Sequence, residues 1–461
     1  MKRLFFVVSI LFFLFGGVCI GTSVADPGTN QPVALSSLVR VVVGTSDRMT
    51  SVLTTEAQNY TMEGQIFYLL GPDTTISGTS PVYRLYNNYN DHMDSLSTNE
   101  GGYVSGGTLG KGWTSSSAQA GVSADVRAYK ASTNDHMNHH TYESLPAGYT
   151  DEGTMIYGFR RYNNTDTSLV GVSGGGITAN ANLVAGASVW EWWWNGKQFL
   201  NDYDCGRQLQ VALQVPSLYY DTSECGDLNY NQSNEPWKRH GSPVVSYSAS
   251  VGILQSSTIP LDYGNQYSNH WGTSQDTPNL WLNWRLGKEI TLNFNGMGPV
   301  AKFKANVTAA QTVTNEGVLE FPMIYLPSSF NRFWTYNAAS NSLTEVTSSM
   351  PDGCSSGAPG YTFTPNYGGV IISDSTQGYA IGIYAGNRSV GGAANYFAMW
   401  KFWCSGDGSG QYKNDTSKLD VVYGNSASIP SGQSSYTSYV INGTVQNVAN
   451  RMGQLYLSGY K

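Results

Sequence analysis

Charge is scarce in this chain of 461 residues, and the scarcity limits the partners it can bind. Charged residues make up 12% of the sequence, about half their usual share in globular proteins. Lysine and arginine together number 25 against 32 acidic residues, so the net charge is −7. Because nucleic-acid binding needs a basic patch and the sequence contains none, we expect no nucleic-acid partner.

Histidine and cysteine are also few, at six and five residues. No Cys-x-x-Cys spacing occurs, so we predict no metal site, and no motif indicates a cofactor. Apart from Cys19, the cysteines form an even set, which in an exported chain predicts two disulfides. Pairing in chain order closes the shortest loops, although the other pairings stay open. The four residues are Cys205, Cys225, Cys354 and Cys404.

The first 25 residues have the pattern of a secretory signal peptide. A basic start, Met1-Lys2-Arg3, precedes an unbroken apolar run from residue 4 to 15 and the small-residue cleavage site Ser23-Val24-Ala25. The run is short for a membrane span, and no later segment reaches spanning length. We therefore expect a secreted or surface-bound mature chain without a transmembrane segment. The sequence does not indicate its oligomeric state.

The sequence then repeats itself up to about residue 165. "YRLYNNYNDHM" (83–93) recurs as "VRAYKASTNDHM" (126–137), and a third Arg-x-Tyr strand closes the series at Arg160-Arg161-Tyr162. A period near 40 residues indicates a repeated supersecondary unit, and the composition favours strands. We predict a small β-repeat module over residues 26–165, with repeats at about 81–125 and 126–165.

Each repeat contains an Asp-His pair, ending in His92 and in His136. Such pairs are typical of structural ties between a turn and the Arg and Tyr of the same repeat, with ligand binding as the alternative. The pattern resembles a repeat of undetermined function in exported bacterial proteins, often attached to enzymes that degrade cell walls or polysaccharides.

From residue 166 to 461 the apolar residues recur with a period of two. "NLWLNWRLGKEITLNFNG" (279–296) predicts strands separated by turns at Gly287-Lys288 and Asn295-Gly296, and residues 368–385 predict a hairpin. Pro and Gly interrupt every candidate helix. The pattern predicts an all-β fold in which a large antiparallel β-sandwich of two packed sheets follows the repeat module.

Four tryptophans lie within five residues in "VWEWWWNGKQFL" (189–200). Strand alternation places Trp190, Trp192 and Trp194 on one face and Glu191 and Trp193 on the other. The following Asn-Gly predicts a type I′ hairpin turn. We expect the three-tryptophan stripe to fill the core, and Trp193 to lie exposed beside a carboxylate, as in a sugar-binding cleft.

Residues 186–210, together with 321–337 and 379–387, resemble the galactose-mutarotase-like supersandwich domain of exported bacterial carbohydrate-active proteins. The resemblance implies a supersandwich with a concave ligand sheet beside the strand that contains Arg and Gln. That superfamily includes epimerases, glycoside hydrolase domains, polysaccharide lyase domains and non-catalytic modules. It therefore implies a carbohydrate ligand without fixing a reaction.

Sugar chemistry needs a proton donor, an acceptor and an aromatic floor. The catalytic candidates are His270 in a polar aromatic loop, Asp204 just after the tryptophan hairpin, and Glu320 in an otherwise apolar strand. The alternatives are an exposed loop histidine, an Asp–Arg pair that fixes a bulge, and an edge-facing glutamate. The substrate-binding candidates are Trp193, Arg207 and Gln208.

These features together predict an exported protein that binds or acts on an extracellular oligosaccharide or polysaccharide. An enzyme of this kind would be a glycoside hydrolase or a polysaccharide lyase. The few histidines and paired carboxylates favour the alternative, a non-catalytic cell-surface or cell-wall adhesion protein.

Overall fold

The fold is that of a computed structural model, which describes residues 33–43, 47–51, 61–87, 91–119, 121–141, 143–160, 169–183, 185–201, 208–215, 218–221, 242–262, 279–351, 360–364, 367–386, 389–390, 393–394, 396–402, 416–423 and 427–460. The signal peptide, the boundary near residue 165 and the four predicted disulfide cysteines lie outside these ranges and stay predictions.

Almost every regular element is a strand. The strands of the first region are β1 (Val33–Val43), β2 (Asp47–Ser51), β3 (Thr61–Leu70), β4 (Thr79–Tyr86), β5 (His92–Ser95), β6 (Asn99–Glu100), β7 (Tyr103–Trp113), β8 (Val122–Lys130), β9 (Asp135–His140) and β10 (Thr150–Arg160). Those of the second region are β11 (Leu169–Gly174), β12 (Ile177–Asn182), β13 (Ser188–Trp194), β14 (Lys197–Gln198), β15 (Leu209–Val215), β16 (Leu218–Asp221), β17 (Val244–Ser250), β18 (Ile253–Thr258), β19 (Leu261–Asp262), β20 (Asn279–Leu280), β21 (Arg285–Thr291), β22 (Val300–Ala309), β23 (Val313–Pro327), β24 (Phe330–Asn337), β25 (Ser342–Glu345), β26 (Tyr361–Phe363), β27 (Gly368–Asp374), β28 (Ala380–Ala385), β29 (Ser389–Val390), β30 (Ala393–Ala394), β31 (Tyr396–Phe402), β32 (Thr416–Val422), β33 (Ala427–Ile429) and β34 (Gly432–Gly443).

The repeat module consists of three units of similar strand pairing. In the units β1–β2–β3, β4–β5–β7 and β8–β9–β10, the first strand pairs with both others. An arginine of the first strand faces a glycine next to a bulge in each unit, and these pairs are Arg40 with Gly64, Arg84 with Gly107, and Arg127 with Gly153. The third strands also pair with one another. The module therefore has threefold pseudosymmetry.

The sequence predicted two repeats, and the structure adds a third unit before them. Its Asp47-Arg48-Met49 takes the place of Asp91-His92-Met93 and Asp135-His136-Met137, and the change from His to Arg hid it. Arg160 ends β10, the last strand of the third unit, and residues 161–162 lie outside the described ranges.

Contacts between neighbouring units close into a ring. Arg48 Nη1 of the first unit lies 3.1 Å from Asp135 Oδ2 of the third unit. His92 Nδ1 of the second unit lies 3.3 Å from Asp47 Oδ1 of the first. His136 Nδ1 of the third unit lies 2.9 Å from Asp91 Oδ2 of the second.

One carboxylate oxygen from each of the three aspartates of this ring lies within 4.8 Å of the other two. Asp91 and Asp135 additionally accept hydrogen bonds from Tyr103 and Tyr149 of their own units. The predicted structural contact between the aspartate and a tyrosine of the same repeat is confirmed. The predicted contact with an arginine of the same repeat is wrong for Asp135, because its partner Arg48 belongs to another unit.

Two short strands of the second region join the sheet of the repeat module. β20 pairs with β1 through Leu280 and Val33, and β19 pairs with β20. Ile259, Leu261 and Leu282 pack in one apolar cluster with residues of the module such as Trp113. The two regions therefore share a buried apolar contact.

The second region is a sandwich of two antiparallel sheets, which confirms the predicted all-β class. The eleven-stranded sheet has the order β11-β12-β13-β15-β23-β32-β31-β26, with β14, β16 and β33 at its margins. The nine-stranded sheet has the order β17-β18-β21-β22-β34-β28-β27-β24-β25. Apolar side chains from both sheets, such as Trp192, Phe303 and Ile383, form one shared core.

One α-helix, α1 (Val445–Leu457), contradicts the expectation that no helix would form. Thr444 caps it by accepting a hydrogen bond from the backbone N–H of Asn447. Its buried residues recur at helical spacing, a signal that the period-two interpretation overlooked, and they pack against the outer side of the nine-stranded sheet. No helix in the described part of the chain is long and apolar enough to cross a membrane.

The predicted turns had mixed outcomes. Asn195 and Gly196 both have positive φ, so the type I′ hairpin is confirmed. The predicted turn at Gly287-Lys288 is wrong, because β21 runs straight through both residues. The predicted turn at Asn295-Gly296 is confirmed, since the chain reverses there in the short 3-10 segment Phe294–Gly296, where positive φ angles cluster. A second such segment is Thr347–Ser349.

Candidate functional site

The eleven-stranded sheet has one face in the sandwich core and one face directed away from it, here called the outer face. Leu209, Ile324, Leu419 and Met399 form a row across four neighbouring strands and belong to the core. Residues on either side of this row point the opposite way. The outer face therefore carries a parallel row of Tyr325, Lys418 and Trp400.

Lys418 is the centre of a charged cluster on this face. Its side chain is only 8% exposed, and its Nζ donates a 2.9 Å hydrogen bond to Glu320 Oε2. The same Nζ lies 3.1 Å from Asp420 Oδ2. A buried ammonium is costly unless carboxylates and hydrogen bonds compensate it, so these three side chains depend on one another.

A bulge in β23 brings Glu320 to the outer face. Met323 and Glu320 are three residues apart, and regular alternation would place them on opposite faces. The register shifts between them, so Met323 pairs with Asp420 while Glu320 pairs with Val422. Bulges commonly re-aim a side chain beside a functional site. The predicted candidate Glu320 is therefore part of the cluster rather than an isolated edge residue.

The protonation states within the cluster follow from burial and neighbouring charge. Burial raises the pKa of Asp420 well above its ordinary value, and the charge of Glu320 adds to this rise against the opposing effect of Lys418. Burial by itself lowers the pKa of Lys418, but Glu320, Tyr325 and Asp420 raise it well above the usual range. The cluster is therefore a buried ammonium, Lys418, held between the carboxyl groups of Glu320 and Asp420.

The contact between Lys418 and Asp420 is electrostatic rather than a well-directed hydrogen bond. Among the described residues, neither carboxyl oxygen of Asp420 accepts a hydrogen bond of good geometry. A buried carboxyl group with free hydrogen-bonding capacity is a functional-site feature.

Aromatic rings surround the cluster. Lys418 Nζ lies 4.2 Å from the ring centre of Trp400 and 5.5 Å from that of Tyr325, within cation–π range. Burial, with the charges of Asp420 and Glu320, raises the pKa of Tyr396 to about 12, so this phenol stays protonated. A side chain at Gly360 would overlap the Trp400 ring, since its Cβ would lie 2.4 Å away.

The tryptophan hairpin divides between core and surface. Trp192 is fully buried, and its indole Nε1 donates a 2.7 Å hydrogen bond to Asn442. Trp193 is 38% exposed on the outer face, and Glu191 on that face accepts a 2.6 Å hydrogen bond from Asn180. The expected exposure of Trp193 is confirmed.

The predicted stripe of three tryptophans is wrong at Trp190. Asn180 pairs with Glu191 while Ala181 pairs with Val189, so a bulge at Trp190 breaks the alternation. Val189 therefore takes a position in the core, and Trp190 lies only half-buried outside the core cluster.

The surface around Trp193 is separate from the Lys418 cluster, although both lie on the outer face. Strand β13 is three strands away from β32, which corresponds to about 14 Å at roughly 4.8 Å per strand. A single sugar ring cannot contact both places, so a ligand common to them must be an oligomer.

The remaining predicted site residues are only partly described. Gln208 is fully buried directly before β15. The other predicted residues, namely His270, Asp204 and Arg207, lie outside the described ranges and stay predictions, as do the cysteines Cys205, Cys225, Cys354 and Cys404.

Sequence reasoning missed Lys418 and Asp420. The signal was present in "SKLDVV" (417–422), where charged residues alternate with Leu419 and Val421. Such alternation within an apolar strand places both charges on one sheet face.

Comparison with family models gave no match, and neither did comparison with curated proteins. Several solved structures are distantly similar. A galactose mutarotase-like protein from Clostridium acetobutylicum is 8% identical, with a TM-score of 0.31, over 59% of this chain and 93% of its own. An aldose epimerase homologue from C. elegans is 10% identical, with a TM-score of 0.32, over 60% of this chain and 98% of its own. Similarity at this level assigns neither an activity nor a ligand to this chain.

Proposed function

We propose that this chain is an exported protein that binds an extracellular polysaccharide along the outer face of the eleven-stranded sheet. The observation that supports the proposal most is the buried Lys418 held by Glu320 and Asp420 beside Trp400. Ligand sites combine an apolar, often aromatic floor with a few precisely placed polar groups. Perturbed titratable groups held together at such a place favour a functional role over a structural one.

Glu320 is the charged group of the cluster that a ligand can reach. Its side chain is 23% exposed, compared with 8% for Lys418 and none for Asp420. Its carboxyl oxygens can accept hydrogen bonds from sugar hydroxyls, and the rings of Trp400 and Tyr396 supply an apolar surface next to it. We expect the bound sugar to contact Glu320 directly and Lys418 only through it.

The geometry also ranks the possible reactions. A glycosidase needs two carboxyl groups on either side of the scissile bond, but here the Lys418 ammonium fills the space between Glu320 and Asp420. Within this cluster Glu320 is the one carboxylate that a ligand reaches, so an enzyme built on the cluster is of the polysaccharide lyase type. Glu320 would take the proton beside the uronate carboxylate, the bond to the leaving sugar oxygen would break, and that oxygen would take a proton from water. Trp193 would hold the same polysaccharide further along the sheet.

The test is titration calorimetry with extracellular polysaccharides, combined with assays for new reducing ends and for the ultraviolet absorption of unsaturated products. Glu320→Gln should weaken binding about tenfold and abolish any turnover, since the neutral amide loses the charge-assisted hydrogen bonds. Glu345→Gln is the matched control, because Glu345 pairs with Arg332 on the other sheet. Equal affinity for wild type and Glu320→Gln would contradict the proposal.

The second candidate is a non-catalytic adhesion protein, which the few histidines and few paired carboxylates of the sequence favour. In that case wild type binds the polysaccharide, Glu320→Gln weakens this binding, and no product forms over long incubation. Product formation by wild type that is lost in Glu320→Gln excludes this candidate.

A further inference from the structure

The outer side of the nine-stranded sheet is divided into two halves. Helix α1 packs over the half that contains β34, β28, β27 and β24, through residues such as Val448 and Met452. The other half, formed by β17, β18, β21 and β22, contains a cavity of about 360 Å³. We call it the Gly287 cavity, and its volume lies at the lower end of the range for ligand pockets.

A missing side chain creates this cavity. Gly287 pairs with Ser257 on one side and with Asn306 on the other, in the middle of a sheet. A glycine inside a strand costs stability, and it often marks a place where a ligand approaches the backbone. All three residues line the cavity, so Gly287 forms its floor.

Arg285 lies at one end of the cavity, two residues from Gly287 on the same face. One guanidinium nitrogen donates hydrogen bonds to the backbone carbonyls of Leu282 at 2.5 Å and Trp284 at 2.7 Å. Burial lowers the pKa of Arg285, and no described carboxylate pairs with it. A desolvated cation that no carboxylate in the described part of the chain pairs with favours an anionic ligand, and a guanidinium binds a carboxylate in bidentate geometry.

Groups that suit sugar hydroxyls line the rest of the cavity. Gln255 Nε2 donates a 3.0 Å hydrogen bond to Glu289 Oε2, and Ser435 Oγ donates a 2.6 Å hydrogen bond to Asn306 Oδ1. Thr308 pairs with Arg285 on the neighbouring strand, and Gln433 pairs with Thr308 on the next one. The lining therefore offers amide and hydroxyl groups in rows one strand apart, with the cation of Arg285 at one end and the carboxylate of Glu289, bound by Gln255, four residues further along the same strand.

We infer that the Gly287 cavity binds a hexuronate residue of an acidic polysaccharide, with the sugar carboxylate on Arg285 and the ring hydroxyls on Asn306 and Gln255. This site goes beyond the proposed function, because it lies on the other sheet of the sandwich and requires no turnover. It gives the protein a second binding site for a polymer chain.

Titration calorimetry of the full mature chain tests the inference. The probes are tetramers of galacturonate, of glucuronate and of mannuronate, each compared with its carboxyl-reduced neutral form. We expect at least one acidic tetramer to bind, and its reduced form to bind at least tenfold more weakly. Arg285→Gln should cause a similar loss.

Arg285→Gln could also lose binding by misfolding, because Arg285 donates hydrogen bonds to the backbone of residues 282 and 284. A second variant that keeps Arg285 distinguishes the two causes. Gly287→Thr keeps those hydrogen bonds and places a side chain in the cavity, in a residue type that suits a strand. It should also weaken binding at least tenfold. Arg332→Gln is the control, because it removes an exposed arginine of the same sheet outside the cavity, and it should bind like wild type.

Three results would overturn the inference: none of the acidic tetramers binds, the neutral forms bind equally well, or both cavity variants bind like wild type. Glu320→Gln distinguishes this site from the proposed one, since binding at the cavity should survive that change. If Glu320→Gln abolishes binding of the acidic tetramers and Arg285→Gln does not, the tetramers bind the eleven-stranded sheet. That result refutes the cavity site and supports the proposed function.

Discussion

Asp94 in the repeat module should make the stability of this protein depend strongly on pH. It takes the same position in its unit as Thr50 and Asn138 do in theirs, three residues after the ring aspartate. Asp94 is 2% exposed, and among the described residues its Oδ2 has no hydrogen-bond partner. Burial raises its pKa from 3.8 to about 7, against the opposing effects of Thr50, Arg84 and Arg127.

The sign of the effect follows from the raised pKa. The folded chain holds the Asp94 proton more tightly than the unfolded chain does, so unfolding releases protons between about pH 4 and pH 7. The stabilisation that Asp94 contributes is therefore fully present below about pH 4, falls as the pH rises, and is lost above about pH 7. A pKa difference of about three, at about 1.4 kcal/mol per pH unit, corresponds to about 4 kcal/mol. Burial also raises the pKa of Asp125, which acts in the same direction.

Asp94→Asn removes the titration while keeping the size and shape of the side chain. Urea unfolding of wild type and variant at intervals from pH 4 to pH 8 measures the difference in unfolding free energy between them, in which the titrating groups that do not interact with Asp94 cancel. We expect this difference to change by about 4 kcal/mol in favour of the variant over that range. Asp73→Asn, in an exposed turn, is the control and should show no such trend. Parallel curves for wild type and Asp94→Asn would refute the reasoning.

Three further predictions concern other parts of the molecule. Trp193→Ala should weaken polysaccharide binding by about 1–3 kcal/mol in calorimetry with little change in melting temperature, whereas Trp192→Ala, at a buried position, should cost about 3–5 kcal/mol of stability. A large loss of stability in Trp193→Ala with unchanged affinity would contradict a binding role for Trp193. Thiol titration of denatured, unreduced mature protein should find almost no free thiol, and four thiols would exclude the two disulfides. Limited proteolysis should cut between residues 161 and 168, yet the fragments should co-elute in gel filtration because Ile259 and Leu261 pack against the repeat module; fragments that separate without denaturant would contradict that contact.

Local signals in the sequence predicted the strands well. The Asn-Gly dipeptide after the tryptophans specified its hairpin turn, because few other residues adopt two successive positive φ angles. Period-two alternation identified the all-β class and the exposed face of Trp193. These features depend on residues close together in the chain, so a single sequence contains them.

Features that depend on distant pairing were missed. Glu320 and Lys418 are 98 residues apart and meet only because β23 and β32 are neighbours and β23 contains a bulge. The glycine at 287 looked like a turn because its local sequence does not show that it lies between Ser257 and Asn306. The first repeat unit was hidden because its cation is Arg48 where the others have histidine.

The ring of contacts in the repeat module fixes how many units it can contain. A solenoid accepts extra repeats because its end units have one neighbour each. Here Arg48 of the first unit binds Asp135 of the third, so no unit is terminal. A fourth unit inserted by duplication, or the loss of one, would leave an aspartate facing the wrong partner. The units can therefore differ in their residues, as Arg48 differs from His92 and His136, while their number stays at three.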